Sequence, residues 1–261
     1  MANWLALVIG NTRWHWAWFQ HNELKQVWHT HHLISQQPSA LALHSMWVQH
    51  RPPQMLDVPI EMLNIMAISV VPNQTQCLAH LTNIQWINDF PLKGVYSTMG
   101  LDRVATLWGA GRQYGWPVLV IDSGTALTFT AGTADTFMGG AILLGLRSHL
   151  AALHHYTATL PKVEPPLNCP PQWATDTTNA IQSGVVHTVL ASIHHFIQSW
   201  QQQYPNTALI FTGGDGQYLH QLYQQHYPTN QNQVPNCRTW FDPNLMFWGI
   251  SAYRSDETRA L

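Results

Sequence analysis

Charge is scarce in this sequence. Asp, Glu, Lys and Arg make up 9% of its 261 residues, far below the usual ~25%. The 11 basic and 13 acidic residues form no stripe of one sign. That excludes a dense footprint for a phosphate backbone, so nucleic acid is not an expected partner. Weak surface repulsion is compatible with a stable oligomer. Cysteine is equally sparse: Cys77, Cys169 and Cys237 lie far apart with no Cys-x-x-Cys. Spacing therefore indicates neither a disulfide framework nor a zinc site, and a reducing cytoplasm is the expected location. Met1-Ala2-Asn3-Trp4 lacks the basic start of a signal peptide. No apolar run nears the ~20 residues of a membrane span, so no membrane association is expected. Gly-Lys-Ser/Thr is missing, which excludes a P-loop. Gly109-Ala110-Gly111 falls in a helical pattern rather than after a strand, so it is no dinucleotide fingerprint. Sixteen histidines include no His-Glu-x-x-His. The groups around His31-His32, His154-His155 and His194-His195 read as surface or core packing rather than ligands.

What is present is apolar: 46% of the chain, enough core for two compact domains or one large one. The organising stretch runs from Val118 to Thr130. Four apolar residues enter Asp122-Ser123-Gly124-Thr125, and alternation resumes behind them, as in a β-hairpin with a polar tip. Such a turn can aim backbone N–H groups and a hydroxyl at a phosphate, while its carboxylate holds a cation. The chain does this twice. Leu5–Ile9 enters Gly10-Asn11-Thr12, and Arg13–Phe19 leaves it with aromatic residues on alternate positions. A third strand-to-glycine turn is Ala208–Phe211 into Thr212-Gly213-Gly214. Two similar hairpins half a chain apart imply an internal duplication, two related lobes facing each other across a nucleotide.

The remaining pattern supports this. Strands are expected near Leu24–His29, Ile65–Val70, Ile84–Ile87, Thr136–Gly145 and Arg238–Phe241. Helices are expected over 38–50, 74–82, 146–157, 178–202 and 215–226, after Asp102, and from Asp242-Pro243 to about 255. Residues 161–175, with five prolines, form a loop that ends in the helix cap Thr175-Asp176-Thr177. Asn230–Asn236 reads as a polar loop. Thirteen tryptophans, several alternating in the first strands, read as aromatic packing on a sheet face. Asp102 is a candidate N-cap, a role compatible with catalysis because a cap fixes its own side chain. Gly115-Trp116-Pro117 breaks the preceding helix, which puts a domain boundary between 115 and 116 and gives domains 1–115 and 116–261. The order βββαβαβα, twice, predicts two α/β domains of one type.

Together these motifs resemble the superfamily of acetate kinase, sugar kinases, heat-shock chaperone ATPases and actin. Within it the order is similar to type III pantothenate kinases along the whole chain. It runs Gly10-Asn11-Thr12, Gly100-Leu101-Asp102-Arg103, Asp122-Ser123-Gly124-Thr125-Ala126, Gly139-Gly140 with Gly145, Thr177 to Gly184, Thr212-Gly213-Gly214, and Asp242-Pro243-Asn244-Leu245 to Gly249-Ile250. The resemblance implies two duplicated RNase H-like domains, each a mixed five-stranded sheet with flanking helices, and an active site in the cleft between them. It implies ATP-dependent phosphorylation of pantothenate to 4′-phosphopantothenate, the first step towards coenzyme A, with Mg2+ and with K+ or NH4+. Asp102 is then the general base. Tyr96, Gly100, Leu101, Arg103 and Thr177 are pantothenate-site residues, Arg103 for the carboxylate. Gly10, Asn11, Thr12, Arg13, Ser123, Gly124 and Thr125 line the phosphates, with Thr212, Gly213 and Gly214 on the adenosine side. Asp122 is the monovalent-cation ligand. Thr177 reaches a partner's substrate site, which implies a homodimer. One departure stands out: the family's first loop begins with Asp, and Val8 occupies that place. The site compensates through Asn11 or Asp122, binds nucleotide poorly, or has lost catalysis. The last outcome corresponds to a non-catalytic ligand-binding or regulatory protein on the same fold.

Overall fold

The computed structural model describes residues 3–33, 40–227 and 239–260. The elements in chain order are β1 (Asn3–Ile9), β2 (Arg13–Gln20), β3 (Glu23–His31), α1 (Ala40–His50), β4 (Asn64–Ser69), α2 (Pro72–Thr75), β5 (Ile84–Trp86), α3 (Leu101–Tyr114), β6 (Val118–Ser123), β7 (Ala126–Thr133), β8 (Thr136–Leu144), α4 (Leu146–Tyr156), α5 (Thr177–Gln203), β9 (Ala208–Thr212), α6 (Gly216–His226), β10 (Thr239–Phe241) and α7 (Leu245–Ala260). The Asn230–Asn236 loop lies outside the described residues. The helix expected over 74–82 is instead one turn of α2 followed by a short 3-10 segment, Gln76–Leu78.

Two mixed five-stranded sheets result, ordered β3-β2-β1-β4-β5 and β10-β9-β6-β7-β8. Read from the other edge, the second order is β8-β7-β6-β9-β10, the same topology. In each, the central strand has an antiparallel neighbour on one side and a parallel one on the other. A strand so flanked and covered is buried on both faces, which is why Trp4–Ile9 and Val118–Ile121 read as unbroken apolar runs. The tryptophans pack as expected: Trp14, Trp16 and Trp47 are buried in one core with Trp28 against them. Their indole N–H groups are satisfied by Gln74 Oε1, Thr30 Oγ1 and the Val58 carbonyl. That removes the cost of burying a polar tip.

Contacts divide the chain into residues 1–109 with 246–261, and residues 110–245. This differs from the division at 115/116 in two places. The end of α3 goes with the second unit, where Gly111 lies flush against the Trp116 ring and the Tyr114 hydroxyl donates to Asp242. Helix α7 goes with the first unit. Gly249 abuts the Ala105 carbonyl so closely that any side chain would collide with it, Trp248 meets Phe19, and Arg254 lies over Trp4.

Candidate active site

In the first unit, β1 delivers Gly10 to a turn closed by its N–H donating to the Arg13 carbonyl at 3.1 Å. His32 Nε2 donates to the Gly10 carbonyl at 2.8 Å and holds the turn from the side. Asn11, Thr12 and Arg13 stand exposed at its tip. Val8, two residues earlier, is buried. It is paired across the ladder with His15, and His15 with His29. Paired residues share a sheet face, so Val8, His15 and His29 form one row. The two imidazoles meet Nδ1 to Nδ1 at 3.0 Å, so one must donate and the other accept. Burial, His29 and Arg13 together lower the His15 pKa from 6.5 to about 4.

A histidine harder to protonate when folded makes the unfolded chain take up the proton first. Stability is therefore expected to fall as pH drops from 6.5 towards about 4. The loss is about 2 kcal/mol after solvent screening. Denaturation at stepped pH checks this, and His15→Gln should flatten that part of the profile.

Also in the first unit, α3 starts at Leu101, and Val104 N–H reaches the Gly100 carbonyl. Asp102 is thus the second helical residue, and the N-cap reading is corrected: Gly100 takes the cap position, so the helix starts two residues earlier than expected. Asp102 Oδ1 accepts from the Arg103 N–H at 2.8 Å, at the electropositive end of the helix. Burial raises the Asp102 pKa, opposed by that N–H and by the Arg103 charge. Arg103 Nη1 donates to the Tyr96 hydroxyl at 3.1 Å. A cavity of about 520 Å³ is walled by Leu101, Ser69, Val70, Trp86, Ile87 and Asn88. Tyr96, Gly100, Leu101, Asp102 and Arg103 are thus gathered around one helix start.

In the second unit, the turn after β6 is closed by Gly124 N–H to the Ala126 carbonyl at 2.9 Å, with Thr125 exposed. Gly145 N–H and Ser148 Oγ both donate to the Thr125 carbonyl. Any side chain at Gly145 would strike the Gly124 carbonyl, which explains the glycine there. The Thr212–Gly214 turn lies against the same loop: Gly213 has φ +86, and Asp215 N–H donates to the Ser123 carbonyl at 2.9 Å. Asp122 is flanked in the sheet by Thr128 and Thr212. Thr128 Oγ1 and Ser123 Oγ are buried without a hydrogen-bond partner among the described residues. A carboxylate next to an unpartnered hydroxyl is an oxygen donor set that fits a hard cation.

Three residues here escaped sequence reasoning. Thr128 shows only as a hydroxyl among apolar strand positions. Arg147 and Asp215 join α4 to the start of α6 through Nε to Oδ1 at 3.0 Å, and Arg147 also reaches Glu164. Arg147 belongs to no recognisable motif, and Asp215 shows only as the residue that follows Thr212-Gly213-Gly214. Thr177 is the exposed first residue of α5, behind Asp176, whose side chain caps the helix by accepting from Asn179 N–H at 3.0 Å. It borders an apolar groove of about 730 Å³ between α4 and α5, with Leu153, Tyr156, Ile181 and Val185.

Residues 4–199 match a family described as type III pantothenate kinase. A type III pantothenate kinase of Nostoc sp. is 37% identical over 265 residues, covering 95% of this chain and 92% of that protein. Among solved structures, a Baf family protein from Campylobacter jejuni superposes with TM-score 0.64 at 18% identity, covering 98% of this chain and 99% of that one. MreB 5 of Spiroplasma citri, solved with AMPPNP, superposes with TM-score 0.52 at 9% identity, covering 100% and 98%. At these identities the structures speak for the fold alone. It is the duplicated RNase H-like architecture of actin-like ATPases. No helix among the described residues is long and apolar enough to cross a membrane.

Proposed function

The chain belongs to the type III pantothenate kinase family, and from that premise we propose that it transfers the γ-phosphate of ATP to the primary hydroxyl of pantothenate. The product is 4′-phosphopantothenate, on the way to coenzyme A. The observation that carries this reading is Asp102: a carboxylate fixed at a helix start and pushed above its usual pKa by burial, next in sequence to Leu101, which walls a cavity sized for a small substrate. An alcohol attacks poorly until a positioned base accepts its proton, and a raised pKa makes a carboxylate a better acceptor. As the hydroxyl oxygen bonds to phosphorus, its proton passes to Asp102, the bond to the bridging oxygen breaks, and ADP leaves. Arg103, aimed by Tyr96, takes the pantothenate carboxylate.

Gly10, Asn11, Thr12, Arg13, Ser123, Gly124 and Thr125 serve the phosphates, and Thr212, Gly213 and Gly214 the adenosine side. Asp122, with the Thr128 hydroxyl, would hold K+ or NH4+. Mg2+ carried on the ATP phosphates would supply charge neutralisation there, and because that ion keeps most of its waters a site with few carboxylates would suffice. The α4–α5 groove beside Thr177 and the low surface charge support a homodimer in which Thr177 serves the partner's substrate site. Sedimentation at assay concentration tests that. The free thiols Cys77 and Cys169 suit a cytoplasmic setting.

The deciding experiment is ADP release from MgATP and K+, with and without pantothenate. Pantothenate-dependent release establishes the reaction. Silence, with pantothenate still bound by calorimetry, establishes instead a non-catalytic binding protein. Val8 favours that second reading, because a buried methyl pair cannot accept a hydrogen bond from metal-bound water. Val8→Asp is expected to lower the KM for MgATP by up to roughly tenfold. It should also raise the His15 pKa from about 4, since the new carboxylate stands beside that ring. Kinetics and imidazole titration by NMR check the two effects separately.

A further inference from the structure

We propose that Cys169, His187 and His226 form a binding site for a zinc-class divalent cation in the second unit. The three come from the loop after α4, the middle of α5 and the last residue of α6. Their ligand atoms all lie within 4.8 Å of one another. Tetrahedral zinc holds such donors about 3.5 Å apart, a gap that side-chain rotation closes. One sulfur and two imidazole nitrogens form a borderline-soft set, suited to zinc and its neighbours and unsuited to Mg2+ or K+. The site is therefore chemically distinct from the oxygen donors around Asp122.

The surroundings are already arranged for ligation. His187 Nε2 lies 3.0 Å from the Pro170 carbonyl. A carbonyl can only accept, so Nε2 carries the proton and Nδ1 keeps its lone pair. Metal-bound imidazoles are oriented by this kind of bond. Pro170 is also the residue after Cys169, so the same bond fixes the backbone that carries the thiol. The loop is tied to both helices without any metal: Ser183 Oγ donates to the Gln172 carbonyl, Gln182 Nε2 to Glu164 and the Tyr218 hydroxyl to Pro166. Cys169 and His187 are half-buried and His226 is exposed, which leaves a route in. Three protein ligands leave a fourth position for water. His194, two turns along α5, is taken up by the Tyr223 hydroxyl and stacked on Tyr227. A bound cation would clamp the 161–175 loop to α5 and α6, on the approach to Thr177.

Co2+ titrated into the full chain is the test, because thiolate-to-cobalt charge transfer reports sulfur ligation and ignores the other histidines. The expected result is one equivalent bound with that absorption, displaced by Zn2+, lost in Cys169→Ser and kept in Cys77→Ser. His187→Asn and His226→Asn should each weaken binding at least about tenfold, and His155→Asn, exposed on α4, should not. Absence of the thiolate band, its persistence in Cys169→Ser, or histidine variants indistinguishable from His155→Asn would overturn the proposal. Metal-free melting temperatures check each fold; should Cys169→Ser unfold, the histidine variants decide. No readout depends on kinase activity.

Discussion

Asp102→Asn is expected to lower kcat by about 10²–10⁴-fold while leaving the fold and the KM values near their starting points. The amide has the same shape, and its Oδ1 can still accept from the Arg103 N–H, so the start of α3 keeps its bond. Removing the charge also removes the desolvation that raises the Asp102 pKa, so stability should hold or rise slightly. What is lost is the only feature the mechanism needs from this residue, a basic oxygen. The pH profile gives a second reading. A base must be ionised to work, so activity of the native chain should fall as pH drops through the raised Asp102 pKa. The residual activity of the variant should lack that acid limb. Steady-state ADP release with a thermal melt in parallel is the check. Near-normal turnover would leave Asp102 as a first-turn helix residue and move the base elsewhere.

The residues that made the fold legible are those whose signal is local. Val118–Ile121 and Leu5–Ile9 are buried on both faces, so their apolar runs announced central strands. The two polar turns behind them announced the duplication, which the matching strand orders bear out. Asp176 was readable as a cap because capping needs only its own helix. What stayed hidden depends on contacts across the sequence. The affiliation of α7 with the first unit turns on Gly249 meeting the Ala105 carbonyl, and nothing around Gly249 foretells it. Asp102 was displaced by two positions from its expected place because the turn before it, not its own side chain, starts the helix. Cys169, His187 and His226 escaped for a related reason. Ligand motifs are recognised at helical or loop spacing, whereas these three come from separate elements. Val8 is the reverse case: its departure was plain in sequence, but its row-mates His15 and His29 appear only once the strands are paired.

Gly213→Ala is expected to be a severely damaging single-methyl change in the second unit, costing about 2–5 kcal/mol and most of the ATP-dependent activity. Two penalties act at once. The backbone sits at φ +86, a region where a Cβ crowds its own chain. In addition, that Cβ would meet the Ser123 carbonyl at 2.5 Å and collide with Asp122 Oδ1. A clash with a flexible side chain could relax, but the Ser123 carbonyl is backbone and already accepts the Asp215 N–H. The methyl can be housed only by separating the Thr212–Gly214 turn from the Asp122–Thr125 loop. That separation takes away the cation ligand and the phosphate turn together, so ATP affinity should fall with stability rather than independently of it. Gly184→Ala is the matched control, since the added carbon meets nothing within 4 Å there and alanine favours the helix by about 1 kcal/mol. Chemical denaturation and nucleotide calorimetry on both variants test the argument. If Gly213→Ala kept native ATP affinity, the turn would lie outside the nucleotide site, whatever its effect on stability.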